Sequence, residues 1–136
     1  MSVEIHVECL GQLKTRAVHG PSGTELVTAA PKDNEGDGSS FSPTDLCATS
    51  LATCYATVMA IAARKHGIEL DGTRVHVVKH MTAEPPRRIA RLDLTMTVRE
   101  GVPTELRERL EAAARGCPVA RSIHPDVDVR LDVRWA

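Results

Sequence analysis

The chain has 136 residues and a mass of 14.7 kDa, enough for one core and one domain spanning 1–136, and large enough that no metal or disulfide staple is needed for stability. Its 17 Lys and Arg against 18 Asp and Glu leave a net charge of −1, with no basic excess to hold nucleic acid or an anionic membrane. Aromatics are 2% of the residues (Phe41, Tyr55 and Trp135), so stacking platforms for bases are absent and the interior must be aliphatic.

Val3, Ile5 and Val7 alternate with Glu4, His6 and Glu8, which is strand patterning, and the segment holds no apolar run of the signal-peptide kind. A cytoplasmic location is expected, where free thiols are kept reduced and cysteines at 9, 47, 54 and 117 form no static disulfide framework. The first thirty residues read as a small antiparallel sheet broken at Gly11 and at the turn cluster 19–23. Residues 31–40 (PKDNEGDGSS) are polar and turn-rich, a surface loop that matches no phosphate-binding fingerprint. Ser42, Pro43 and Asp45 then open a helix: a serine cap, a proline at the first helical position and an acid able to reach back to the cap.

That helix is expected to run to about His66 and stop at Gly67. No charged side chain falls between Leu46 and Ala63, yet the threonines, serine and alanines of this span make it a weak candidate for membrane insertion. A helix apolar on every side must be wrapped by protein on every side. One chain of this length is short of surface for the task, so a homodimer packed around the helix is expected. Residues 73–82 and 89–99 read as strands flanking the proline turn 84–88, residues 103–115 as an amphipathic helix ended by Gly116, and 127–135 as a last alternating strand. The fold class is α+β.

Four cysteines and six histidines invite a metal, but no CxxC, HxxxH or HExxH spacing is present, and His76 and His80 stand about 13 Å apart along a strand, so no metal site is expected. Cys9 has no partner pattern. Cys47 precedes Cys54 by about 10 Å along the helix, too far to bridge, and reads as packing. Arg87 and Arg88 form a basic turn, either solvated or positioned to guide an anionic substrate. Cys54 sits mid-helix and Cys117 in a turn before proline, 63 positions later. Each could be a small buried hydrophobe or half of a redox pair, and spacing does not decide between them.

The segments Phe41-Ser42-Pro43-Thr44-Asp45-Leu46, Ala52-Thr53-Cys54-Tyr55-Ala56 and Cys117-Pro118-Val119-Ala120-Arg121-Ser122-Ile123 resemble those of the OsmC/Ohr family of organic hydroperoxide reductases, and the likeness extends over nearly the whole chain. It implies an OsmC-like fold in which antiparallel sheets wrap a long buried central helix within an intertwined homodimer. It further implies a cysteine-based peroxidase with Cys54 as the peroxidatic thiol and Cys117 as the resolving one, passing through a Cys54 sulfenic acid to a Cys54–Cys117 disulfide that an external dithiol reduces, with no cofactor. An aliphatic pocket would favour organic hydroperoxides, gaining about 25 cal/mol per Å² of alkyl surface buried.

A mid-helix thiol needs a neighbouring cation to ionise near neutral pH. The resemblance implies an arginine from the early strands, held by an acid at the start of the central helix. Arg16 is the one arginine before residue 64, and it is equally readable as a solvated strand residue. The acid's position, directly after the helix-start proline, is filled by Thr44; Asp45 follows one residue later, about 100° around the helix, and reads also as a capping-box acid. The alternative function is a scaffold of the same fold that binds a small molecule or thiol, or senses redox state, without turnover.

Overall fold

The computed structural model describes all 136 residues, which form two compact units, Met1–Cys47 and Ala48–Ala136. The first unit is an antiparallel meander of β1 (Ile5–Gly11), β2 (Lys14–His19) and β3 (Glu25–Ala29) in that spatial order. Gln12 and Leu13, at φ 54° and 60°, make the left-handed two-residue turn between β1 and β2 that the right-handed twist of a hairpin favours. The Leu13 carbonyl accepts the Ala30 N–H at 3.0 Å. Cys9, Thr15 and Thr28 lie in one cross-strand row, with the two threonine hydroxyls hydrogen bonded to each other. The expected loop over 31–40 is present and folds back on itself: the N–H groups of Gly36 and Gly38 bond to the carbonyls of Pro31 and Ala30. At Gly36 a Cβ would lie 1.8 Å from the Ala30 carbonyl oxygen, so only glycine fits.

Helix α1 (Pro43–Arg64) begins as the sequence predicts. Ser42 Oγ accepts the Asp45 N–H at 3.1 Å and Asp45 Oδ2 accepts the Ser42 N–H at 2.8 Å, a reciprocal capping box. The helix ends two residues before the expected His66, because Gly67 at φ 72° turns the chain there: Ile68 N–H bonds to Ala63 O and Gly67 N–H to Arg64 O, the paired bonds of a Schellman stop. By length and hydropathy α1 could cross a bilayer, with a mean hydropathy of 1.7 over its best 18 residues, of which 33% are buried inside the chain. The buried side is Leu51, Ala52, Tyr55, Met59 and Ala63; Thr53, Thr57 and Ile61, four apart, remain exposed. The enclosure expected on every side is therefore met on one side only by this chain.

In the second unit, β4 (Arg74–Met81), β5 (Ile89–Val98) and β6 (Asp128–Trp135) form a sheet in the order β4-β5-β6, with α2 (Thr104–Arg115) between the last two strands. β4 and β5 pair antiparallel despite the intervening prolines, with a register irregularity between His80 and Met81. β6 departs from the expected antiparallel arrangement and runs parallel to β5, as a strand must when a crossover helix returns the chain to its starting edge. Leu92, Leu94, Met96 and Val98 of β5 are buried on one face, as are Leu110 and Ala114 of α2, so the apolar stripe of the helix and the apolar face of the sheet share one core. Asp93, Thr95 and Thr97 occupy the other, wetter face.

Candidate active site

Cys54 is carried by α1 beside the fully buried side of that helix and is itself half-buried. Cys117 follows α2, where the N–H of Gly116 reaches Ala113 O and Ala114 O and the N–H of Cys117 bonds to Ala114 O at 3.1 Å, closing the helix before Pro118. A tight turn follows, in which Arg121 N–H bonds to Cys117 O and the N–H groups of Ser122 and Ile123 to Val119 O. The turn directs the Ala120 N–H at Cys117 Sγ, 3.3 Å away. Cys117 has no exposed surface.

Two sulfurs 63 positions apart thus converge: the Cys54 thiol lies within hydrogen-bonding reach of the Cys117 thiol. Burial pushes the Cys117 thiol up from the usual cysteine range, its contact with Cys54 adds to that, and the Ala120 N–H works in the opposite direction. Both are free thiols. A dithiol with one wholly buried and one accessible member can be oxidised to a disulfide.

Tyr55 completes the surroundings. It is almost fully buried, and burial first, then the nearby Cys117 and Cys54, push its hydroxyl up, with Arg115 acting against them. Sequence reasoning gave Tyr55 no role. The available signal was modest: the chain's single tyrosine directly follows Cys54 in an otherwise small-residue helix.

The expected arginine and acid each have a partner close by in the chain. Arg16 Nη2 bonds to Glu8 Oε1 at 3.3 Å, directly across the β1–β2 ladder, and the pair is exposed. Asp45 performs the alternative role, the capping box with Ser42. Elsewhere, His80 Nε2 lies 2.8 Å from Asp93 Oδ2, and Arg91 Nε donates to the same oxygen at 3.0 Å, a polar cluster on the wet face of the second sheet. No group of three or more His, Cys, Asp or Glu side chains gathers closely enough to hold a metal ion.

Two three-stranded sheets and a long helix, with one cysteine on that helix and another in the turn after the second helix, define a recognisable class. The family model for OsmC-like protein matches residues 36–132, and the chain belongs to that family. A Psychrobacter arcticus 273-4 protein with a proposed role in the osmotic stress and detoxification response is 40% identical over 96% of this chain and 94% of its own, with a TM-score of 0.90. An organic hydroperoxide resistance protein OsmC from Legionella pneumophila is 22% identical, covering 98% and 97%, with a TM-score of 0.76. OhrB, the organic hydroperoxide resistance protein of Bacillus subtilis, is 17% identical, covering 98% of each chain, with a TM-score of 0.71. These last two share the fold. None of the curated proteins matches the chain.

Proposed function

We propose that the chain is a thiol-dependent peroxidase that reduces organic hydroperoxides to alcohols in the cytoplasm. The observation that carries this reading is the contact of the Cys54 and Cys117 thiols; the hydroperoxide-resistance proteins of the same fold support it. The Cys54 thiolate attacks one peroxide oxygen, the O–O bond breaks, and the alkoxide leaves as the alcohol after taking a proton. The resulting Cys54 sulfenic acid is attacked by Cys117, water departs, and a Cys54–Cys117 disulfide remains for an external dithiol to reduce. From the family likeness, Arg16 is proposed as a cation of the reaction, with Glu8, its ion-pair partner across the β1–β2 ladder, as the acid that holds it.

The working form in this reading is a homodimer. Ile5 and Val7 of β1 are 62% and 65% exposed and Ile61 of α1 is 55% exposed, apolar area that a second copy would cover. Sedimentation at micromolar concentration is expected to give twice the chain mass.

Purified protein mixed with cumene hydroperoxide is expected to lose two titratable thiols per chain. Cys54→Ser is expected to consume no peroxide, and Cys117→Ser to react once and accumulate sulfenic acid. Wild type that loses neither thiol, or Cys54→Ser that matches it in rate, would favour the non-catalytic binding or redox-sensing scaffold.

A further inference from the structure

The two sulfurs are not equivalent to a reductant approaching from outside. Resting on the dithiol reading above, we propose that reduction begins at Cys54: an incoming thiolate attacks Cys54 Sγ, the Cys54–Cys117 bond breaks, and Cys117 departs with the electron pair. Electrons and atoms balance with the thiol as the only co-reactant. The attacking thiol gives its proton to solvent, the departing Cys117 sulfur takes one back, and the product is a mixed disulfide on Cys54 beside a Cys117 thiol. A dithiol then closes on its own sulfur and frees Cys54, whereas a monothiol stops at the mixed disulfide.

Access is the first argument. Thiol–disulfide exchange requires an attacker in line with the S–S bond, on the far side of the sulfur attacked. Cys117 has no exposed surface, while Cys54 is half-buried on α1, so only one of the two has a side an external thiol can approach. A second copy of the chain can cover Cys54 further but cannot uncover Cys117.

The departing charge is the second argument. Exchange is faster when the leaving sulfur is stabilised as a thiolate. Ala120 N–H points at Cys117 Sγ from 3.3 Å and is held there by the hydrogen bonds of the 117–123 turn, so the donor needs no rearrangement as charge develops. Cys54 lies in the interior of α1, where backbone N–H groups are committed to carbonyls four residues back and none is left for a departing sulfur. Burial keeps the Cys117 thiol above the usual cysteine range overall, so the Ala120 donor offsets part of that cost and access is what decides which sulfur is attacked.

The test uses the full chain in a Cys9→Ser/Cys47→Ser background, oxidised with diamide so that the disulfide does not depend on peroxidase activity. Glutathione is added, the mixture is quenched in acid on the millisecond to second scale, and the mixed disulfide is located by mass spectrometry after digestion with pepsin. Glutathione is expected on the Cys54 peptide at least about tenfold over the Cys117 peptide, the ratio that corresponds to a modest barrier difference between the two attacks. Equal labelling, labelling of Cys117, or failure of diamide to link the two cysteines would overturn the proposal. A diamide disulfide reduced at Cys54 in a protein indifferent to cumene hydroperoxide would support it while ending the peroxidase reading.

Discussion

Leu110→Ala tests whether the packing of α2 sets the position of Cys117. Leu110 is fully buried on the stripe that α2 turns to the sheet. Removing three carbons from it forfeits about 2.4 kcal/mol of transfer free energy, and the space left behind brings the expected loss to about 3–5 kcal/mol. That is a large part of a typical domain's stability. The same helix ends in the turn that buries the Cys117 sulfur, so an opening that exposes this thiol should become easier by a similar amount. A 3 kcal/mol reduction corresponds to roughly 100-fold faster alkylation of Cys117 when opening limits the reaction. Urea unfolding, followed at fixed chain concentration by the fluorescence of Trp135 on β6, measures the first quantity, and iodoacetamide labelling of Cys117 the second. Trp135 is a suitable reporter because the Arg107 guanidinium of α2 sits over its ring at 5.5 Å. Glu108→Ala, on the exposed side of α2, is the control and is expected to stay within about 0.5 kcal/mol of wild type. A Leu110→Ala loss below about 1 kcal/mol, or unchanged labelling of Cys117, would refute the claim that this core holds the turn in place.

Asp45→Ala should cost about 1 kcal/mol through loss of the capping box and leave cumene hydroperoxide consumption within about twofold of wild type, whereas Glu8→Gln should slow consumption without an equal loss of stability; a large kinetic defect in Asp45→Ala with full stability would return the acid's role to Asp45. Because burial raises the Cys117 thiol above its unfolded value, the folded chain holds that proton more tightly, and the associated stability is fully present below the ordinary cysteine range near 9.0 and lost as pH rises through the folded value. Urea midpoints should therefore fall between pH 8.5 and 10 more steeply in wild type than in Cys117→Ser, where the raised Tyr55 also loses the part of its shift that Cys117 supplies; parallel curves would contradict the burial argument.

What could be read from the string and what could not follow one division, between local and distant physics. The capping residues at 42–45, the glycine stop at 67 and the alternation of Leu92, Leu94, Met96 and Val98 are local signals, and they placed α1, its ends to within two residues, and β5 with its buried face. The direction of β6 was not legible, because alternation shows which face of a strand is wet and says nothing about the partner it lies beside. That direction follows from α2 lying between β5 and β6, a property of the crossover and not of the strand. Composition did show a helix with no charged face. Which part of it this chain would bury depended on which neighbours it met, and the structure buries Leu51, Tyr55 and Met59 while Thr53, Thr57 and Ile61 stay exposed.

The site divides in the same way. Periodicity placed Cys54 on a helix and Cys117 in a turn, but their meeting depends on the packing of both helices within one unit and was reached only through the family likeness. Arg16 and Asp45 show what local chemistry supplies by itself. An aspartate three residues after a serine at a helix start has a partner at 2.8 Å in its own backbone, and an arginine opposite a glutamate on the next strand has one at 3.3 Å. Neither contact needs the two halves of the chain to meet. The Cys54 and Cys117 thiols of the second unit differ from them: they are small, weakly hydrogen bonding, and brought together across 63 positions by the core around them.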